Sequence, residues 1–91
     1  MKTIWKFTLD ILDTQSILMP DGAEILSVSE QFDMPVLYAL VDSEASVTPR
    51  MVYIRGTGHP LNSLAANLDG GAKFVGTVKT MGGQLMWHVF A

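Results

Sequence analysis

The run VLYALVD, residues 36–42, decides the fold class. Its first six residues are apolar, so both faces of a strand built from them would be apolar, because successive side chains of a strand point to opposite faces. A strand of this kind is typical of the centre of a sheet, with a neighbour on each side and a core to fill. We therefore expect residues 36–42 to be a central β-strand.

The stretch before it, AEILSVSEQF at residues 23–32, also has the composition of a strand. Only DMP, residues 33–35, separates the two runs, and a short polar break of this kind favours a β-hairpin. The N-terminal run TIWKFTLDI alternates in polarity, so that one face of a strand carries Thr3, Trp5, Phe7, Leu9 and Ile11. This two-residue period predicts a half-buried strand.

Four more short strands are predicted, at residues 16–20, 50–56, 72–80 and 84–90, with a surface loop at 43–49. Gly76 interrupts one of them and indicates a bulge or a close backbone approach. At most one short helix is expected, near residues 62–67. The chain is thus predicted to be one mainly β domain, residues 1–91, with about seven short and mostly antiparallel strands in a small sandwich or barrel.

Composition narrows the class of partner. The chain has 91 residues and no cysteine, yet 48% of it is hydrophobic and its mean hydropathy is +0.28. Such an apolar small domain is expected to cover part of its surface by homo-oligomerisation. The formal net charge is −3 and the six basic residues are scattered, which argues against nucleic-acid binding. No apolar run is long enough for a membrane span, so a soluble intracellular protein is expected.

The turn GTGHP, residues 56–60, is the strongest candidate for a binding site. Successive backbone N–H groups around two glycines can hold an anion, and a histidine titrates near neutral pH. The predicted anion-binding residues are Tyr53, Arg55, Thr57, Gly58, His59 and Lys73. The turn lacks the lysine of a phosphate-binding P-loop and the following helix of a dinucleotide fold. The alternative is a turn that only ends a strand, with Pro60 stiffening its exit.

The last predicted strand carries a second histidine, His88. If Leu85, Trp87 and Val89 face the core, the opposite face is also apolar, which indicates either a second layer or a subunit interface at Met86, His88 and Phe90. No metal site is predicted, because two histidines alone do not complete a ligand set. No cofactor and no catalytic residue are predicted either, since the chain has no cysteine and no serine in a nucleophile-elbow context.

Several segments together carry a resemblance: MKTIWKFTLD at the start, MPDGAEILSV at 19–28, LYALVD at 37–42, IRGTGHP at 54–60, FVGTV at 74–78 and GGQLMWHVF at 82–90. In these the chain resembles a family of small bacteriophage and prophage proteins of unknown function. The resemblance implies the cytoplasm of a bacterial host as the location and an accessory role in counter-defence or host takeover. It implies no activity. The stretch LNSLAANLDGGAK, 61–73, is the part expected to vary.

These observations favour a binding protein, a homo-oligomer that blocks or sequesters a host factor. The partner is either a host protein or a small anionic ligand such as a nucleotide. The first alternative is a structural protein of the virion or its assembly. The second is a small phosphoesterase that uses His59 and His88.

Overall fold

The computed structural model describes residues 1–59 and 72–91, which form seven antiparallel strands and one 3-10 turn at Met81–Gly83. The strands are β1 (Lys2–Thr8), β2 (Thr14–Pro20), β3 (Glu24–Gln31), β4 (Met34–Asp42), β5 (Val47–Gly56), β6 (Phe74–Thr80) and β7 (Leu85–Phe90). The mainly β prediction is confirmed. The helix expected near residues 62–67 lies outside the described residues. In the described part of the chain, no helix has the length and apolar character needed to cross a membrane.

The strands form two sheets, one of three strands in the order β1-β4-β3 and one of four in the order β2-β5-β7-β6. The central position predicted for residues 36–42 is confirmed, since β4 has a partner on each side. The predicted hairpin between β3 and β4 turns at Phe32 and Asp33, which both have positive φ. The sheets are not closed into a barrel, so that alternative is wrong for the described residues.

The core lies between the two sheets, and alternate residues along the strands contribute their side chains to it. From the three-stranded sheet it takes Leu37, Ala39 and Val41, and from the four-stranded sheet Val52, Ile54, Val78 and Val89, all buried. β1 contributes Phe7, on the face that the sequence predicted. Apolar burial of this kind is the main favourable term in folding. The faces of the strands are therefore fixed by the core.

β5 begins at Val47, inside the stretch 43–49 that was expected to be a loop. That expectation is wrong for residues 47–49, and Pro49 is the reason that the strand was missed. β7 pairs with β5 only from Tyr53 to Gly56, so at Pro49 β5 has β2 alone as a neighbour among the described strands. A proline is tolerated where one edge of a strand needs no N–H donor.

Gly76 lies both at a β-bulge and at a close approach to a neighbouring strand, the two features that its position in the sequence indicated. The register of the β6–β7 pair shifts between Phe74 and Gly76, which is a bulge. A Cβ atom at Gly76 would lie 2.9 Å from Cγ1 of Val28 on β3. The edge of one sheet therefore approaches the edge of the other here, and a glycine is what allows the approach.

Replacing Gly76 with alanine is expected to lower the free energy of unfolding by about 1–3 kcal/mol, since the added methyl group overlaps a stiff β-branched side chain. Urea denaturation of G76A measures this. In a Val28→Ala background the overlapping methyl group is gone, so the same glycine substitution should cost less. An equal cost in both backgrounds would show that the contact between β3 and β6 is not what requires glycine.

Candidate functional site

The candidate site lies on the outer face of the four-stranded sheet. Ile54 pairs with Val89 in the core, so the next residues along the two strands, Arg55 and His88, pair on the opposite face. On the other side of β7, His88 pairs with Thr77 of β6. The register thus places a guanidinium, an imidazole and a hydroxyl in one row across three strands.

His88 is held between two threonine hydroxyls. Its Nε2 lies 2.8 Å from Oγ1 of Thr57, and its Nδ1 lies 3.0 Å from Oγ1 of Thr77. A hydroxyl both donates and accepts hydrogen bonds. The neutral imidazole can therefore donate to one threonine and accept from the other, and the imidazolium can donate to both. His88 keeps its two partners in either protonation state.

The turn after β5 brings His59 back over the strand end. The backbone N–H of His59 donates to the carbonyl of Gly56 at 3.1 Å, and Gly58 has a φ of 86°. The N–H of Gly56 donates to Nδ1 of His59 at 3.2 Å, so in the neutral imidazole the proton is on Nε2. A Cβ atom at Gly56 would lie 2.8 Å from Cε1 of His59. Both glycines are therefore explained by the turn itself.

Arg55 is a buried charged residue with 7% of its surface exposed. Its Nη1 donates to the carbonyl of Asp13, and to the carbonyl of Ile54 at 3.0 Å. The carbonyl of Asp13 also accepts the backbone N–H of Ile54. Asp13 immediately precedes β2, so the guanidinium ties the start of β2 to the end of β5. Arg55 thus has a structural role, which we call its framework role: it holds β2 and β5 together beside the site.

These groups enclose a shallow pocket of about 170 Å³, the turn pocket, on the side of the turn that faces His88. Its described lining residues are Arg55, Gly56, Thr57, Gly58, His59, His88 and Phe90. The polar groups on its wall are a guanidinium, two imidazoles and a hydroxyl, and no carboxylate belongs to that set. The wall is therefore suited to an anion rather than to a cation.

Four of the six residues predicted to bind an anion come together in the turn pocket, namely Arg55, Thr57, Gly58 and His59. Tyr53, 8% exposed, is not among the lining residues. Lys73 is exposed, pairs with Ala91 through two backbone hydrogen bonds of 2.9 Å, and is not among the lining residues.

Two residues predicted at a subunit interface, His88 and Phe90, line the turn pocket, while Met86 does not. Whether any of the three contacts a second subunit stays a prediction. The sequence reasoning missed Thr77. Counting outward from the turn between β6 and β7 would have found it, because a hairpin register places Thr77 opposite His88.

A larger cavity of about 440 Å³ on the other sheet has the opposite character. Its wall carries Asp21, Glu24 and Asp42 beside Lys2. The pKa of the Asp42 carboxyl is lowered, chiefly because the N–H of Glu44 donates to it, and also by the N-terminal ammonium 3.0 Å away. Asp42 therefore stays ionised at neutral pH. Among the described residues, no group of three or more potential ligands could hold a metal ion.

Comparison with known proteins gives a family and no activity. A family model described as a domain of unknown function (DUF7352) matches residues 1–91, the whole chain. No curated protein and no solved structure matches the chain. The prediction of a family of unknown function is confirmed, and the phage origin stays a prediction. The function has to be argued from the site.

Replacing Arg55 with lysine is expected to lower the free energy of unfolding by about 1–3 kcal/mol. Lysine keeps the charge, but its compact, strongly hydrated ammonium does not reproduce the planar guanidinium whose Nη1 donates to both carbonyls. Thermal and urea denaturation of R55K measure the loss. The matched control is Arg50→Lys, because Arg50 makes a 3.3 Å bond to the carbonyl of Ala23 and should cost less than about 1 kcal/mol. Equal losses in the two variants would contradict the framework role.

Proposed function

Given that the chain belongs to the DUF7352 family, whose function is unknown, we propose that it is a non-enzymatic protein that binds a small anionic ligand in the turn pocket. The observation that carries this proposal is the convergence of Arg55, His59, His88 and Thr57 on one pocket. These groups come from two strands and a turn. The hydroxyl of Thr57 and the imidazole of His59 can donate to a bound anion, Arg55 adds positive charge to the wall, and His88 is bonded to Thr57.

The charge balance of the turn pocket supports an anion as the ligand. Arg55 is cationic at any physiological pH, and two imidazoles add neutral or positive groups. Donors of this kind make short, strong hydrogen bonds to phosphate or carboxylate oxygens. At about 170 Å³ the pocket is smaller than the usual site for a whole drug-sized molecule. It therefore suits one anionic group, such as a phosphoryl or a carboxylate, of a ligand that extends beyond it.

The bond between His88 and Thr57 gives a mechanism for holding that group. When Nε2 of His88 carries a proton, it donates to Oγ1 of Thr57, 2.8 Å away. The hydroxyl proton of Thr57 is then available to an anion in the turn pocket. The anion, the hydroxyl and the imidazolium would form one chain of charge-assisted bonds, with Thr77 as the fixed partner at the other ring nitrogen.

The proposal includes self-association of the chain. Apolar side chains stand exposed on the outer face of the four-stranded sheet, the same face that carries the turn pocket: Leu18, Val47, Met51 and Phe74. Exposed apolar side chains on one face of a small domain are a common place for subunits to meet. A copy packed on this face would surround the turn pocket and exclude water from it, which strengthens its electrostatic interactions.

The biological part of the proposal rests on the sequence resemblance to phage proteins. In that setting the protein would sequester an anionic host ligand, or block a host protein, and so act in counter-defence or host takeover. A binding site without assembled catalysis suits such a role, because sequestration needs affinity and no turnover.

Isothermal titration calorimetry with inorganic phosphate, pyrophosphate and sulfate, at low ionic strength, tests the binding proposal. We expect at least one of these anions to bind, and Thr57→Val to weaken it about tenfold or more, because a hydrogen bond to a charged group is lost. The matched control is Thr77→Val, which removes a hydroxyl that bonds His88 but does not line the turn pocket. It should weaken binding less. Binding that Thr57→Val leaves unchanged would exclude this pocket.

The same protein samples separate binding from catalysis. A phosphoesterase is the second candidate because His59 and His88 line one pocket and a hydroxyl lies 2.8 Å from an imidazole nitrogen. The test is the release of p-nitrophenol from p-nitrophenyl phosphate by the wild type and by a His59→Ala, His88→Ala double variant. Release by the wild type that is lost in the double variant would show that the protein is an enzyme and contradict the binding proposal. We expect no release above that of the double variant.

Analytical ultracentrifugation tests self-association through the outer face of the four-stranded sheet. We expect the wild type to be oligomeric and a Leu18→Lys, Met51→Lys double variant to be monomeric, because two charges would have to be buried at the interface. The control is Ile4→Lys on the other sheet, since Ile4 is 59% exposed and Leu18 is 64% exposed. It should leave the mass unchanged. A monomeric wild type at micromolar concentration would refute the interface.

A further inference from the structure

A second cavity of about 220 Å³ adjoins the turn pocket and has a different wall. The two share Gly56, Thr57 and His59. Beyond these shared residues, the second cavity is lined by the beginning of β7 and the residue before it: Gln84, Leu85, Met86 and Trp87. Three of those four side chains are apolar, and none is charged. We name this second cavity the apolar pocket.

Trp87 gives the apolar pocket a fixed aromatic surface. Its Nε1 donates to Oγ1 of Thr80 at 2.9 Å, which holds the indole in one orientation. Trp87 also pairs with Gly56, so its strand position is set by the same β5–β7 register that builds the turn pocket. Leu85, 43% exposed, stands beside it at the start of the strand. A tryptophan side chain fixed in one orientation, with an exposed leucine beside it, forms a surface on which a planar ring can pack.

At about 220 Å³ and about 170 Å³, each pocket alone is smaller than the usual small-molecule site, so a ligand of ordinary size has to occupy both. One has the chemistry for an anionic group, and the other has the chemistry for an apolar ring. The turn residues Thr57 and His59 stand between them and touch both. A ligand that fills both pockets has to cross the turn at these two side chains.

We infer that the ligand is an anion that carries a planar aromatic ring, the chemistry of a nucleotide, with its phosphoryl group in the turn pocket and its ring against Trp87 in the apolar pocket. This inference rests on the proposed function and adds the class of ligand to it. The phosphoryl group lies beside the positive charge of Arg55 and accepts from the hydroxyl of Thr57, the ring lies against Trp87 and Leu85, and His59 lies against the part that joins them.

Tryptophan fluorescence tests the inference directly, because the chain has two tryptophans and Trp5→Phe leaves Trp87 alone. The probes are adenosine monophosphate, ribose 5-phosphate and adenosine. We expect adenosine monophosphate to change the emission of Trp87 and to bind at least about tenfold more tightly than ribose 5-phosphate, because base stacking on an aromatic side chain adds affinity. Adenosine should bind more weakly than adenosine monophosphate.

A second variant keeps the test decisive if Trp5→Phe fails to fold. Leu85→Ala shortens an exposed side chain of the apolar pocket, and calorimetry should show a weaker affinity for adenosine monophosphate with that for ribose 5-phosphate unchanged. Equal affinities of the two phosphates for the wild type, with no change in Trp87 emission, would overturn the inference and leave the anion site standing. No binding of either phosphate would overturn the proposed function itself.

Discussion

The two-residue period of β5 and β7 is the constraint on which the rest of the structure depends. Ile54 and Val89 are paired and buried in the core, so the next residues, Arg55 and His88, must lie on the outer face. A slip of one residue in this register would turn either the guanidinium or the imidazole into the core, depending on which strand moved. That change would bury a polar group without partners, at a large cost. Apolar burial therefore fixes the geometry of the site from the opposite side of the same two strands.

The site supports the fold in return. Arg55 fastens the start of β2 through the carbonyl of Asp13, and His88 joins the turn at Thr57 to β6 at Thr77. No buried side-chain nitrogen or oxygen in the described ranges lacks a hydrogen-bond partner. Arg55 and His88 are thus held by bonds within the fold itself. The proposed anion would therefore meet groups that are already ordered, which lowers the entropy cost of binding.

The alternation of apolar residues was enough to predict the β class, the central strand at 36–42 and the inward position of Phe7 on β1, because burial produces an apolar pattern in the sequence. Trp5, on the same predicted face, is 39% exposed. It could not predict the start of β5, since Pro49 and its polar neighbours look like a loop until the pairing with β2 is known. The meeting of Arg55 with His88 was also out of reach, because two strands distant in sequence have no local signal of their register. Thr77 could have been found, since a short hairpin fixes its own register.

The glycines of the turn, which first suggested a phosphate loop, are accounted for without any ligand. Gly58 has a positive φ, and Gly56 leaves room for the ring of His59. The case for a ligand therefore rests on the side chains, and most of all on Thr57. The hydroxyl of Thr57 also fastens the turn to His88, so it has a structural role as well. In the proposed complex it would be the group that connects His88 to the anion, because both ring nitrogens of His88 are bonded to threonine hydroxyls.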